Sequence, residues 1–293
     1  MLAVDFYGTG RQEATFRHLC DHLPEALADL KTSETAETLE PTEPTEPTEI
    51  SDPMEPLKSH KAPDVALEVW HAVPPTPDGA WHKATGAGHL RWWTEGLAAT
   101  LGERPVRAVL GYCAGSVFAS ALADALAERQ GERPTVVLFN PGAPGVATLT
   151  RDFRGLVEGM DVLTDDERAA LLAEMEEIRQ AHAPDALVPV AEQYAALYRK
   201  GCALLCRRLE VDAELGDELA AVLHSYLAYL TAALDIPPTP VWRDAVSITS
   251  REHHGSDFTD TEQGFDVARA DLLSSRAVAA AVGPLLHAHR VTR

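Results

Sequence analysis

The stretch AVLGYCAGSVFASALADAL at residues 108–126 decides the fold. It opens with a short apolar run, which is typical of a parallel strand that is covered on both faces. Small residues then recur at helical spacing, so we expect a helix over 116–129. Cys113 lies at the junction, between Gly111 and Gly115. A strand, a tight turn and a helix in this order are the context in which a G-x-S-x-G nucleophile turn is found.

The pattern around Cys113 has a cysteine where many hydrolases carry a serine. Glycines two residues before and two residues after allow neighbouring backbones to approach closely. The N-terminus of the following helix favours a thiolate through its dipole and its free N–H groups. Cys113 is therefore predicted to be a nucleophile. The alternative is a buried cysteine at a tight turn with no role in catalysis.

Apolar runs alternate with amphipathic stretches along most of the chain. Strands are expected near 2–6, 65–73, 106–112, 134–145 and 242–250. A nearly continuous helical pattern covers 148–236, where Thr164 and Glu167 form a capping-box signature. Strand–helix alternation interrupted by one helical block predicts an α/β fold, with a mostly parallel, doubly wound sheet and a helical lid insertion in a single domain spanning 1–293.

Residues 31–64 differ in composition from the rest of the chain. They contain six prolines and nine acidic residues, no aromatic residue, and a short Pro-Thr-Glu repeat. Such a segment buries too little apolar surface to offset the entropy of ordering it. We therefore expect a disordered, acidic insertion, either a solvated spacer or a docking segment for a partner.

Composition excludes several classes of function. The formal net charge of −20 argues against a surface for nucleic acid or for anionic membranes. No apolar run approaches about 18 residues, so no membrane span is expected. The first residues lack the basic region of a signal peptide, and the four cysteines are expected to be reduced thiols of a cytoplasmic protein. Cys202 and Cys206 are expected to pack in a helix, because no second ligand pair suggests a metal site.

On these motifs the chain resembles the thioesterases of polyketide and nonribosomal peptide assembly lines, a branch of the α/β-hydrolases. The similar segments are LAVDFYGTGRQEATFRHLCDHLP (2–24), AVLGYCAGSVFASALA (108–123), TVVLFNPGAP (135–144), the helical block, and FDVARADLLSSRAVAAAV (265–282). Only the acidic insertion has no counterpart. The resemblance implies an α/β-hydrolase fold.

The resemblance also assigns roles to particular residues. The oxyanion hole would use the backbone N–H groups of Ala114 and Thr9, which would stabilise charge on an attacked carbonyl. Asn140 falls where one branch of the family has the acid of its catalytic triad. Arg269 stands where the family's histidine is expected, and a guanidinium cannot act as a base.

Two histidines offer a replacement base. His253 and His254 follow the expected strand at 242–250, on the loop where the other branch of the family keeps its acid. Either of them with Asn140 and the cysteine would form a Cys-His-Asn set, which is known to work with a thiol nucleophile. Asp257 is the alternative orienting acid. We expect one of the two histidines to be catalytic, with His254 slightly preferred.

The implied activity is the off-loading of an acyl chain from the phosphopantetheine of an acyl or peptidyl carrier protein. No cofactor bound to this chain is expected; the partners are the carrier protein and a small-molecule thioester, with no nucleic acid and no membrane. Transfer to Cys113 conserves the thioester, which suits release by an intramolecular C–C (Dieckmann-type) cyclisation to a tetramate- or pyridone-like ring. The alternatives are a hydrolytic editing or releasing thioesterase and a non-catalytic thioesterase-like scaffold.

Overall fold

The apolar runs of the sequence form the strands of one sheet in the computed structural model of the protein. The structure describes residues 1–6, 13–32, 54–62, 65–76, 80–237, 239–253 and 259–288. Its strands are Leu2–Val4 (β1), Met54–Ala62 (β2), Val65–Ala72 (β3), Ala108–Tyr112 (β4), Thr135–Phe139 (β5), Val246–Thr249 (β6) and Thr261–Gly264 (β7).

The amphipathic stretches form the α-helices. These are Phe16–Thr32 (α1), Gly86–Leu101 (α2), Gly115–Gln130 (α3), Val146–Glu158 (α4), Asp165–Gln180 (α5), Leu187–Leu209 (α6), Ala213–Leu234 (α7) and Arg276–Ala288 (α8). A short 3-10 turn at Arg269–Ser274 precedes α8. None of the helices in the described ranges is long and apolar enough to cross a lipid bilayer.

The strands join in the order β2-β3-β1-β4-β5-β6-β7. Every neighbouring pair is parallel except β2 and β3, which are antiparallel. The predicted fold class, an α/β fold with a mostly parallel, doubly wound sheet, is confirmed. The carboxyl ends of the parallel strands lie at one edge of the sheet, where such folds hold their ligands.

Apolar side chains cover both faces of the sheet. Val109 of β4 packs with Trp93 of α2 and Phe118 of α3 on one face. Its neighbour Leu110 packs with Phe16 of α1 on the other face, where α8 lies against α1. Alternate residues of β4 therefore point to opposite layers, as the two-residue period of a strand requires.

The prediction for the acidic insertion needs a correction. Residues 31–64 are predicted to be disordered, but Met54–Ala62 form β2 at the edge of the sheet, paired with β3. The register shifts just after Pro56, and proline is tolerated in edge strands because one side of the strand needs no partner. Composition misses this strand because backbone pairing, which does not depend on side-chain hydrophobicity, holds it. Residues 31 and 32 of the insertion end α1, and residues 33–53 and 63–64 lie outside the described residues.

Helices α4 to α7 occupy 146–234, where the sequence predicts the helical block. The predicted capping box is confirmed at the start of α5: the Thr164 hydroxyl accepts from the Glu167 N–H at 3.2 Å, and the Glu167 carboxylate accepts from the Thr164 N–H at 2.8 Å. The fully buried rings of Tyr194 and Tyr229 pack inside this part of the core. The role of the block as a lid stays a prediction.

Candidate active site

The turn at Cys113 has the geometry of a nucleophile elbow. Cys113 follows β4 directly and adopts φ = 51°, a conformation that non-glycine residues rarely take. A Cβ atom added to Gly111 would lie 2.6 Å from the Ala119 Cβ, and one added to Gly115 would lie 2.3 Å from the Val4 carbonyl oxygen. The two glycines are therefore required by close backbone approach.

Backbone hydrogen bonds hold this turn in place. The Cys113 N–H donates to the Phe139 carbonyl at 2.9 Å, and the Cys113 carbonyl accepts from the Ser116 N–H at 3.0 Å. The Ala114 N–H precedes this first bond of α3, so it belongs to the set of amides that a helix leaves for other acceptors. That position suits the oxyanion role that the resemblance implies for Ala114. Thr9, the other implied donor, lies outside the described residues.

Cys113 is buried, with 7% of its surface exposed, and a guanidinium lies beside its sulfur. Arg151, in the second turn of α4, donates from Nη2 to the sulfur at 3.5 Å. The buried Asp152 fixes that guanidinium by accepting from its Nε at 2.8 Å, and Asp152 also accepts from the Tyr226 hydroxyl of α7. A chain of polar contacts thus runs from the helical block to the sulfur.

The pKa of Arg151 reflects its position beside the sulfur of Cys113. Burial by itself lowers the pKa of Arg151, but its electrostatic and hydrogen-bond contacts with Cys113 and Asp152 outweigh it and raise that pKa above its usual range. Arginine is already fully protonated at neutral pH. The guanidinium is therefore a permanent cation at the sulfur, which needs a negative charge to act as a nucleophile.

A second guanidinium, that of Arg269, lies against Tyr112, the residue before Cys113. Arg269 donates from Nε to Glu13 at 3.1 Å, and Tyr112 donates its hydroxyl to the same carboxylate at 2.8 Å. The Arg269 guanidinium carbon also lies 5.2 Å from the centre of the Tyr112 ring, a cation–π contact. Burial by itself lowers the pKa of Arg269, whereas Cys113 and Tyr112 raise it above its usual value. Arg269 is therefore a fixed cation near the thiol, where the family's histidine is expected.

Asn140 ties the ends of two strands together. It follows β5 with φ = 44° and is 1% exposed. Its N–H donates to the Ile248 carbonyl at 2.9 Å, and its side-chain oxygen accepts from the Ser250 N–H at 2.8 Å. Its amide nitrogen has no acceptor among the described residues. Asn140 thus fixes the loop after β6, on which the predicted histidines lie.

The structure places one of the two predicted histidines. His253 is half-buried, and its N–H donates to the Ser250 carbonyl at 3.0 Å, at the same edge of the sheet as Cys113. His254 and Asp257 lie outside the described residues. Within the described ranges, the hydrogen bond to the sulfur comes from Arg151 and not from His253. A catalytic role for His253, His254 or Asn140 stays a prediction.

Sequence reasoning did not place Arg151, Asp152 and Glu13 in this site. Arg151 and Asp152 come soon after β5, in the part of the chain that leaves the same sheet edge as the elbow. This closeness in sequence to the end of β5 was the only signal that could have pointed to them. The contact with Cys113 spans 38 residues, and the contact between Glu13 and Arg269 spans 256. Only the folded chain shows these pairings.

Comparisons with known proteins support the fold. No family model and no curated protein matches the chain. Among solved structures, it is similar to a holo four-domain nonribosomal peptide synthetase bound to AMP and glycine, with a TM-score of 0.50 and 13% identity over 100% of this chain. The chain spans only 19% of the length of that synthetase. At this identity, the likeness concerns the fold alone.

A second similar structure is the Vlm2 thioesterase domain with genetically encoded 2,3-diaminopropionic acid, bound with a dodecadepsipeptide. Its TM-score is 0.39 and its identity 16%, covering 76% of this chain and 81% of that domain. The wild-type Vlm2 thioesterase domain gives a TM-score of 0.35 and 14% identity.

Proposed function

We propose that the protein is a thioesterase-like acyl-transfer enzyme that off-loads a carrier-bound chain through Cys113. The observation that carries the proposal is the position of Cys113: a strained residue between β4 and α3, at the carboxyl edge of a parallel sheet, with a cation at its sulfur. A non-glycine residue held at positive φ is conformationally strained, and packing of the core does not require that strain. Such strain concentrates at functional sites.

The first step of the proposed reaction is thioester exchange. The Cys113 thiolate attacks the carbonyl carbon of the carrier-bound chain, and the oxyanion is stabilised by the Ala114 N–H. Collapse of this intermediate breaks the bond to the pantetheine sulfur, which leaves as a thiolate and takes a proton from solvent. One thioester replaces another, so the acyl chain stays activated on the enzyme.

The second step is release by ring closure. In a β-ketoacyl-aminoacyl chain, the carbon between the two carbonyls loses its proton to a base, for which His253 and His254 are the candidates. The carbanion attacks the thioester carbonyl, so a C–C bond forms and the C–S bond to Cys113 breaks. The Cys113 thiolate is regenerated, and a tetramate- or pyridone-like ring leaves without addition of water.

The surroundings of the sulfur favour ring closure over hydrolysis. Water has a pKa of about 15.7 and must be activated by a well-placed base. Within the described ranges, the side chain bonded to the sulfur is Arg151, and a guanidinium accepts no proton. A carbon between two carbonyls is far more acidic than water, so a more distant imidazole suffices for it.

The proposal includes a partner but no cofactor bound to this chain. The acyl group arrives on the phosphopantetheine arm of an acyl or peptidyl carrier protein. The arm is part of that substrate, and the chemistry rests on the thiol, the backbone amides and the candidate base.

The products of one incubation test the proposal. The protein is given the N-acetylcysteamine thioester of a β-ketoacyl amino acid, and the small molecules are analysed by mass spectrometry. We expect a product whose mass equals that of the substrate minus N-acetylcysteamine. It should be absent with C113A but present with the control C206A, which removes another buried thiol. Free acid as the main product would indicate a hydrolase instead. Turnover by neither route, with C113A still supporting the product of a reconstituted assembly line, would indicate a scaffold.

A further inference from the structure

Two arginine side chains from distant parts of the chain converge on Cys113. Arg151 belongs to α4, and Arg269 begins the 3-10 turn before α8. We infer that they form a recognition site for an anionic oxygen of the acyl chain, a carboxylate or an enolate, beside the nucleophile. This inference rests on the proposed function for its substrate, and it narrows that substrate to acyl groups with negative charge near the reacting carbonyl.

Arg269 has a side-chain donor that none of the described residues accepts from. Its Nε is held by Glu13 at 3.1 Å, and its backbone N–H donates to the Glu252 carboxylate at 2.8 Å. Its Nη2 is buried and has no acceptor among the described residues. A buried charged donor without an acceptor is unfavourable, so a structure that retains one gains by binding an anion.

Contacts with Tyr112 and Glu13 hold the Arg269 guanidinium at the nucleophile turn. The guanidinium stacks over Tyr112, the residue that precedes Cys113, and the Tyr112 hydroxyl shares Glu13 with it. Glu13 thus holds Nε, and the neighbouring Nη2 on the same edge of the guanidinium stays without an acceptor among the described residues. The fork geometry of arginine matches carboxylate and enolate oxygens well.

Arg151 exchanges one of its two contacts during the proposed reaction. Its Nη2 donates to the sulfur at 3.5 Å and also lies 2.7 Å from the Asp152 carboxylate, which accepts from its Nε. Acylation turns the sulfur into part of a neutral thioester, while Asp152 keeps the guanidinium in place. The side chain is 39% exposed and can be reached by a substrate group. An anionic oxygen on the acyl chain would take the place of the thiolate.

The two cations also affect one another. The charge of Arg151 lowers the pKa of Arg269, in opposition to Cys113, which raises it. Like charges held this close repel, and an anion between them relieves the repulsion. Binding of an anionic acyl group would therefore be favoured over binding of a neutral group of the same shape.

A pair of alkylating reagents tests the inference without any acyl transfer. Iodoacetate and iodoacetamide have nearly the same size and reactivity toward thiols, but only iodoacetate is an anion. The second-order rate constants for Cys113 are measured by intact-protein mass spectrometry and peptide mapping. We expect the iodoacetate-to-iodoacetamide ratio for Cys113 to exceed the ratio for glutathione at least tenfold.

Variants of Arg269 test whether the preference of Cys113 for iodoacetate depends on this guanidinium. R269Q should bring the ratio close to that of glutathione, whereas R269K, which keeps a cation, should retain part of it. The matched control R276Q removes an exposed arginine, 76% of whose side chain is accessible, and should leave the ratio unchanged. A wild-type ratio equal to that of glutathione overturns the inference. A ratio that stays at the wild-type value in R269Q also overturns the inference. A Cys113 sulfur that neither reagent alkylates overturns it as well.

Acyl thioesters then identify the anion. Acylation of Cys113 is compared for succinyl and succinamoyl thioesters of N-acetylcysteamine, which differ in one carboxylate. It is also compared for acetoacetyl and 2,2-dimethylacetoacetyl thioesters, of which only the first can form the stabilised enolate by losing a proton from the carbon between its two carbonyls. A preference of fivefold or more that R269Q removes supports recognition of the carboxylate in the first pair or of the enolate in the second. Equal rates in both pairs would overturn the inference while leaving the proposed acyl transfer intact, and acylation by none of the four would contradict the acyl transfer itself.

Discussion

The guanidinium of Arg151 lies 3.5 Å from the sulfur of Cys113 and is the side chain that bonds to it within the described ranges. Because Arg151 belongs to α4, and its carboxylate partner Asp152 is bonded to Tyr226 of α7, the cation at the nucleophile is positioned by the helical block. The strand–helix elbow supplies the sulfur, and the helical block supplies the charge.

Weakening the contact that holds Arg151 in place should lower the alkylation rate of the Cys113 thiol. The substitution D152N removes the carboxylate that holds the guanidinium but leaves Arg151 in place. We expect the iodoacetamide rate constant at Cys113 to fall roughly fivefold, since a charge-assisted hydrogen bond of about 1 kcal/mol is weakened. The control D166N removes an exposed acid at the start of α5 and should leave the rate unchanged. An unaltered rate in D152N would mean that Arg151 is held by something other than Asp152.

The elbow glycines should not tolerate a methyl group. In G115A the new Cβ would lie 2.3 Å from the Val4 carbonyl oxygen, so β1 and α3 must separate. We expect a loss of about 3 kcal/mol in the free energy of unfolding, measured by urea denaturation. The matched control G155A sits in α4 with no atom within 4 Å of the new Cβ. It should gain up to about 1 kcal/mol from helix propensity, and a G115A variant as stable as G155A would contradict the close approach.

Asn140 should protect one amide on the loop after β6. Its side-chain oxygen accepts the Ser250 N–H at 2.8 Å, and both residues are buried. In N140A that amide loses its acceptor, so its hydrogen exchange should accelerate and stability should fall by about 1–3 kcal/mol. N140D keeps an oxygen acceptor and should retain the protection. If exchange at Ser250 in N140A matches that of the wild type, Asn140 does not fix the loop that carries His253.

Stability should fall in mild acid because buried histidines must be protonated on unfolding. Burial lowers the pKa of His89 from 6.5 to about 4, partly offset by its bond to the Thr85 carbonyl, and burial lowers the pKa of His71 similarly. The unfolded chain binds more protons below about pH 6.5, so stability decreases from there to about pH 4 and then levels off for these groups.

The substitution H89F isolates one of these contributions. His89 is 3% exposed and stacks on Phe118 with ring centres 5.4 Å apart, a place that a phenylalanine ring can fill. We expect H89F to remove about 3 kcal/mol of the loss in the free energy of unfolding between pH 7 and pH 4. Denaturant titrations at a series of pH values measure it. Parallel curves for wild type and H89F would show that His89 is not held neutral by the fold.

Local patterns explain how much of the fold was predictable. The β4–α3 unit follows from an apolar run and small residues at helical spacing, and the capping box at Thr164 follows from two residues three apart. Strand β2 was not predictable in this way, since its sequence, MEPLKSHKA, is polar and its pairing with β3 is made by the backbone. Composition describes what side chains can bury and misses edge strands held by main-chain bonds.

In the candidate site, too, the local features were predictable and the long-range contacts were not. The sequence places Cys113 at the turn, because glycine spacing and the adjacent elements are local features. It does not reveal that Arg151 reaches the sulfur or that Glu13 holds Arg269, because such contacts depend on how distant loops meet at the sheet edge. Replacement of the expected histidine by Arg269 was visible in the sequence. The sequence did not show that its guanidinium lies over Tyr112, with Nη2 lacking an acceptor among the described residues.

The most direct measurement of the central claim is the location of the acyl group on the enzyme. The protein is incubated with a β-ketoacyl-aminoacyl N-acetylcysteamine thioester, quenched in acid before turnover is complete, digested, and mapped by mass spectrometry. The account predicts an acyl group on the peptide that contains Cys113, removed by neutral hydroxylamine as a thioester should be and absent in C113A. Turnover of the thioester with no acylated Cys113 peptide, or with an undiminished rate in C113A, would contradict it.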